Sequence, residues 1–192
     1  MNKSIYILAA AVACLFCAVL SAADAGDPDA KAFNEYKVKA LFLYNFVKYI
    51  EWPGEKSVAQ THTANICIIG RDPFGSELDI LKKASSAQLT FNVKRDISES
   101  EIPSCHVLFI STSEEGNVSS VLSRAKTHTV LTVSEIGGFA DHGGIIEMVK
   151  TQENIGLFTK NKINLRINLK TAERENLRID AQLLEIASEV IK

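Results

Sequence analysis

The spacing between apolar runs constrains this chain more than any other feature. Asn65-Ile66-Cys67-Ile68-Ile69-Gly70, Leu89-Thr90-Phe91-Asn92-Val93, residues 105–111 and Thr129-Val130-Leu131-Thr132-Val133 are short β-rich runs. Between them lie segments with helical pattern, residues 73–83 and 117–126. Parallel neighbours need crossovers of about that length, so this half predicts a mostly parallel sheet covered on both faces. After Gly143-Gly144 the spacing collapses: residues 145–150, 154–159 and 162–168 are three strand-like runs only a few residues apart. Such short links permit antiparallel turns and exclude helical crossovers. The expectation is an α/β fold with a mixed sheet, its N-terminal half mostly parallel, its C-terminal half an antiparallel meander, with helices on both faces. Two short helices close the chain, the last setting Leu183, Leu184, Ala187, Val190 and Ile191 on an apolar face.

Ahead of the sheet, helical periodicity runs from Glu35 to Trp52, where Pro53-Gly54 ends it. Val38, Phe42, Leu43, Phe46, Val47, Tyr49 and Ile50 cover one broad face of the wheel, and Lys37, Asn45, Lys48 and Glu51 form a narrow polar stripe. Leu41 and Tyr44 fall inside that stripe. Apolar groups among charges are either plain surface or a partner-contact patch, so Leu41, Tyr44 and Lys48 are candidate partner-binding residues.

The first residues read as an export signal. Lys3 supplies a positive start, Ile5 to Leu20 is an unbroken apolar run, and Ala23 or Ala25 ends a small-residue cleavage site. Sixteen apolar residues fall short of the ~20 that span a bilayer, which disfavours an anchor. Ala11, where a lipoprotein signal carries a large aliphatic, disfavours lipidation at Cys14. The expected organisation is a cleaved signal over residues 1–23, a flexible arm over 24–34, and a single domain over 35–192.

Loss of Lys3 with the signal leaves 20 basic against 23 acidic residues, a formal charge of −3, which argues against nucleic acid as a partner. Cys14 and Cys17 leave too, so Cys67 and Cys105 remain, an even number in an oxidising compartment. One disulfide is the reading, and two buried free thiols are the alternative.

No catalytic pattern assembles along the chain. There is no Gly-x-Ser-x-Gly elbow, and the glycines of residues 137–144 match neither dinucleotide nor phosphate loops. Asp141 and His142 are adjacent in sequence, and neighbours rarely face one site. Glu99 with Glu101 and Glu114 with Glu115 sit in polar loops, and Arg166 reads as a surface residue. His62, His106, His128 and His142 have no metal-ligand spacing to either cysteine, so neither a metal nor a cofactor is expected. Trp52, the single tryptophan, stands at a helix end where a ring packs inward or lines a groove. With Asn168 and Arg174 it is a candidate ligand-binding residue.

Several segments together resemble the YfiR family of bacterial periplasmic proteins. They are Val38 to Pro53 with its Tyr-Ile-x-Trp-Pro ending, Ile66 to Gly70 followed by Asp72-Pro73-Phe74-Gly75, and Cys105-His106-Val107-Leu108-Phe109-Ile110. Further on come Leu131-Thr132-Val133-Ser134, Gly138-Phe139-Ala140, Gly143-Gly144-Ile145-Ile146, Ile167-Asn168 and Leu183-Leu184-Glu185-Ile186-Ala187. The resemblance implies a non-enzymatic periplasmic regulator that docks on the periplasmic part of an inner-membrane diguanylate cyclase and holds it inactive, lowering cyclic di-GMP and biofilm growth. It also places Cys67 and Cys105 where the family tends to form a disulfide. Ala140 and Glu147 stand in the region where some relatives carry a second cysteine pair. Glu175-Asn176 and Asp180-Ala181 stand where relatives commonly show Ala-Gly and Ser-Ser. A homodimer and a small-molecule ligand stay open as further associations.

Overall fold

The computed structural model describes the backbone of residues 28–155 and 158–192 and the side chains of residues 35–153 and 161–192. The expected signal over residues 1–23 lies outside the described residues. The chain divides into two compact units, Met1–Ala32 and Phe33–Lys192, and the second carries everything below except the opening turn of the first helix.

Helix α1 spans Pro28–Tyr49. It begins seven residues earlier than the periodicity indicates, and a proline is at home in a first turn, where its missing N–H is not needed. It also ends three residues earlier than expected. Ile50–Glu51 is a short strand, β1, paired antiparallel with β8 (Arg178–Ile179). Two causes converge there: Pro53 biases Trp52 toward extended backbone, and the Tyr49 carbonyl accepts from Asp180 N–H at 2.8 Å rather than from a further helical turn.

After the short helix α2 (Val58–Thr61) come β2 (Thr63–Ile69), α3 (Asp79–Lys83), β3 (Thr90–Lys94), β4 (Val107–Ile110), α4 (Val118–Ala125) and β5 (Leu131–Ser134). Next are β6 (Ile146–Ile155), β7 (Phe158–Asn168), α5 (Leu169–Arg174), β8, α6 (Ala181–Glu185) and β9 (Glu189–Ile191). The main sheet has the order β3-β2-β4-β5-β6-β7-β9. From β3 to β6 every pairing is parallel, β6 and β7 are antiparallel, and β9 returns parallel to β7. The mixed α/β sheet expected from the spacing is therefore present.

Two details differ from that expectation. The three C-terminal runs are two long strands, with residues 154–155 ending β6 and residues 158–159 opening β7. Val190 and Ile191, read as helical, belong to β9. Ser188 turns the chain there, its N–H and hydroxyl both donating to the Leu165 carbonyl.

Strand alternation sorts the core into two layers. On one face Ile66, Ile68, Val107, Phe109, Val133, Ile146 and Ile167 pack under Leu43, Phe46 and Val47 of α1. On the other, Cys67, Ile69, Leu108 and Ile110 meet Val121, Leu122 and Ala125 of α4. Each large apolar side chain so buried contributes roughly 1.5–3 kcal/mol, which outweighs the weak local preference of these short helices.

The winding has one switch point, between β2 and β4, where open α/β sheets commonly bind ligands beyond the carboxyl ends of the strands. Here the protein's own side chains occupy that crevice. Gly70 has φ +81°, and a Cβ on it would stand 2.5 Å from Ser113 Oγ and 2.7 Å from Glu114 Cγ. Ser113 Oγ accepts from Arg71 N–H at 2.8 Å, binding the two loops together.

Candidate functional site

The surface of α1 that turns away from the sheet carries Lys37 and Val38 and then Leu41, Asn45 and Lys48, which from Val38 onward are spaced three or four apart and hence in one line. Val38 is 41% exposed and Leu41 39%. The wheel placed Val38 on the buried face; the helix is rotated so that Lys39 and Ala40 take the inner positions instead. Tyr44 is half-buried, its ring 5.3 Å from that of Phe91 on β3, and Lys48 Nζ stands 4.3 Å above the Tyr44 ring centroid. Of the three candidate partner residues, Leu41 and Lys48 are exposed and Tyr44 lies half-buried between Lys48 and Phe91.

Lys39 is the residue the sequence most conceals. It is 1% exposed, yet it pairs with Glu35 one turn back at 2.6 Å and with Glu135, just past the end of β5. Glu35 also receives Lys150 of β6 at 2.5 Å, and Glu135 receives the Tyr36 hydroxyl at 3.1 Å. Burial opposes ionisation of Glu35, but Lys150 and Lys39 hold its carboxyl below the usual range. Burial and the Glu135 charge push the Tyr36 phenol upward. A lysine next to Leu41 and Phe42 reads as surface; only the tertiary fold places two carboxylates over it.

Trp52 is 4% exposed and meets the His106 ring edge-on, with centroids 5.7 Å apart. It lines a pocket of about 420 Å³ together with Val47, Lys48, Ser57, Val58 and Leu89. Neither Asn168 nor Arg174 lines this pocket, so the three candidate ligand residues do not converge on it. Asn168 caps α5, accepting from Thr171 N–H at 2.8 Å and donating to the Ala140 carbonyl at 2.8 Å. Arg174 lies on the outer side of α5, its guanidinium 3.3 Å from Glu175.

Beside Trp52, His106 Nδ1 accepts from Asn65 N–H at 2.9 Å, which fixes the tautomer with the proton on Nε2. Burial, aided by the nearby Lys56 charge, lowers the imidazole pKa to about 4. Burial likewise lowers Lys56 to about 8, although its ammonium donates to the Cys105 carbonyl at 2.8 Å. Cys67 and Cys105 form a disulfide with Cα atoms 5.9 Å apart, joining β2 to the residue that leads into β4.

Arg166, read as plain surface, is a hub. On β7 it lies opposite Glu147 of β6 and Glu189 of β9, and it bonds both, at 2.9 and 2.6 Å, while a bidentate pair holds Asp141. Those bonds hold the Asp141 carboxyl below its ordinary range. Asp141 is therefore committed to Arg166, and His142 bonds the Gly138 carbonyl through Nδ1. The two do not form an acid–base pair. The buried Glu147 carboxylate accepts from Gly138 N–H and Ala140 N–H, each at 3.1 Å, clamping the glycine-rich loop. Ala140 and Glu147, where the resemblance put a second cysteine pair in some relatives, thus touch without a covalent bond.

Among the described residues no group of three His, Cys, Asp or Glu side chains could hold a metal ion, and no helix is long and apolar enough to cross a membrane. Glu101 caps Ser98, and Glu99 accepts from Ser120 and Asn117. The polar side chains described here serve caps, clamps and ion pairs. What fold and surface define is a doubly wound α/β domain with an exposed helical stripe.

The chain belongs to the YfiR/HmsC-like family, whose model matches residues 36–188, and that family is one of periplasmic regulators. No curated protein matches it in sequence. A crystal structure of a conserved domain protein from Vibrio cholerae is similar in fold, at 10% identity and a TM-score of 0.50, over 81% of this chain and 60% of that one. This chain thus spans about three fifths of that relative's length. A domain from Streptococcus pneumonia, solved in complex with L-Trp, aligns at 15% identity and a TM-score of 0.46 over 67% of this chain and 55% of that one.

Proposed function

We propose that this protein is a periplasmic, non-enzymatic regulator that binds the periplasmic part of a membrane-bound diguanylate cyclase and holds it inactive, lowering cyclic di-GMP and biofilm formation. The observation that carries the reading is the family match, which runs from Tyr36 in α1 to Ser188 beside β9 and so takes in nearly the whole domain. A regulator without chemistry of its own needs a surface, and the stripe of Val38, Leu41, Tyr44 and Lys48 supplies one. Deleting the gene should raise cellular cyclic di-GMP, and the tagged protein should retain a cyclase from solubilised membranes. Unchanged cyclic di-GMP together with no co-purifying cyclase would end this reading.

The second reading, a periplasmic small-ligand binding protein, is favoured by one observation: the pocket of about 420 Å³ beside the Trp52 indole. A thermal-shift screen with amino acids, nucleotides and sugars tests it, since a ligand at one hundred times its Kd stabilises by about 2.7 kcal/mol. No shift with any of the three classes counts against it.

A further inference from the structure

The segment between β1 and β2 is held to the domain by very little, and a buried imidazole sits beside its tie. The turn Gly54–Lys56 and helix α2 contain no fully buried residue, and Val58 is their apolar contact with the core. Their main-chain hydrogen bonds stay local: Ser57 N–H donates to Gly54, Thr61 N–H to Ser57 and His62 N–H to Val58. Among the described residues one hydrogen bond ties residues 53–60 to the rest of the fold, from Lys56 Nζ to the Cys105 carbonyl at 2.8 Å.

His106 follows Cys105 directly, and its surroundings suit a neutral ring. It is buried, and its Nδ1 accepts from Asn65 N–H at 2.9 Å, so a proton on Nδ1 would set two donors face to face. Nε2 makes no hydrogen bond; the Lys56 main chain beside the ring favours the charged form, but less than burial disfavours it. Trp52 presents a neutral ring, the Cys67–Cys105 disulfide does not titrate, and Lys94 of β3 is engaged with the Ser104 hydroxyl at 3.0 Å. Among the described residues Lys56 is the charged group that acts on the imidazole, and it opposes a second positive charge there. Protonation would therefore break the Asn65 bond and set two cations side by side where water reaches poorly. Of the two, Lys56 has the easier way out, because no side chain of its turn is buried.

We propose that His106 is an acid-operated latch: on taking up a proton it drives Lys56 off the Cys105 carbonyl and frees residues 53–62 while the sheet stays folded. The latched form takes the proton only near pH 4, whereas a ring uncovered by release takes it near 6.5. Falling pH thus favours release, over the whole window by at most about 300-fold. A segment without buried side chains is the part of a fold that opens at low cost. Residues 57–59 also wall the pocket beside Trp52, so release changes that surface as well. The latch stands independently of the regulator and ligand readings above.

The test is hydrogen exchange of the full-length, disulfide-bonded protein at pH about 7 and about 4, each rate taken relative to an unstructured peptide at the same pH. In wild type the Thr61 and His62 amides should lose at least about tenfold in protection between the two, with far-ultraviolet circular dichroism unchanged. His106→Asn should lose less than about threefold. Lys56→Met removes the tie and keeps the imidazole. It should show the low protection already at pH about 7, with little further change in acid, and its His106 ring should titrate above the wild-type value by NMR.

Unchanged protection in wild type at pH about 4 would overturn the latch. So would an equal loss in His106→Asn, since carboxylates that titrate in the same range would then be the cause. Loss of circular dichroism together with protection would replace local release by general acid unfolding. Should His106→Asn fail to fold, Lys56→Met decides: wild-type protection at both pH values overturns the proposal.

Discussion

His106 illustrates how a buried side chain sets a pH limit on this fold. Its pKa is about 4 in the native state, for the burial and Lys56 reasons given, against an ordinary 6.5 in the unfolded chain. Between those values the unfolded state binds the proton and the native state does not, so stability falls as pH drops from about 6.5 toward 4. The whole window amounts to roughly 3 kcal/mol. Melts across it should show that slope, and His106→Asn, which keeps an acceptor near Asn65 N–H, should largely flatten it. Glu35, with its lowered pKa, adds acid sensitivity only at the bottom of that range and below. Lys39 is a second residue whose removal is costly. Replacing it by Met leaves Glu35 and Glu135 without their shared cation in a site that is almost closed to water, and such changes cost about 3–5 kcal/mol. Urea unfolding of Lys39→Met measures the loss; a cost below 1 kcal/mol would mean that Lys150 and Tyr36 satisfy both carboxylates. Neither residue could be ranked from sequence, because a lysine inside a helix and a histidine before a strand look alike whether or not the fold covers them.

At the scale of elements, legibility followed periodicity. The strands β2 to β5 and helix α4 were readable because their apolar runs are short and separated by crossover-length segments, and short buried strands of that kind admit few alternatives. The ends of α1 were not, since Pro53 acts on the residue before it and Asp180, far along the chain, competes for the Tyr49 carbonyl. The roles of Arg166 and Glu147 depend on the register that sets Glu147 opposite Arg166 and Arg166 opposite Glu189, and register is a long-range property. One element-scale outcome is open to measurement. Gly144 lies against Phe139 so closely that an added Cβ would stand 2.1 Å from the ring. Gly144→Ala should therefore force the ring out of the α4-side core and cost about 1–3 kcal/mol, read as a lower Tm. An unchanged Tm would show that the loop from Ile136 to Gly143 yields at no cost.

For the whole molecule, the disulfide is the one covalent constraint among the described residues. It closes a separation of 38 residues that contains α3 and β3, and the chain-entropy model values such a loop at about 4 kcal/mol. Replacing both cysteines by Ala should lower the free energy of unfolding by about that amount while leaving the circular-dichroism spectrum unchanged, because β2 and β4 pair directly from Ile66 and Val107 onward. A loss under 1 kcal/mol would place the restraint already in the unfolded chain. The pairing of β1 with β8 sets a different condition. The first strand among the described residues has its partner at Arg178 and Ile179, and the core beneath α1 includes Leu165, Ile167, Leu177 and Leu183. A polypeptide that emerges N-terminus first must therefore hold an amphipathic helix open, its apolar face uncovered, until residues 165–183 have appeared. Helpers that shield nascent chains would act longest on this helix.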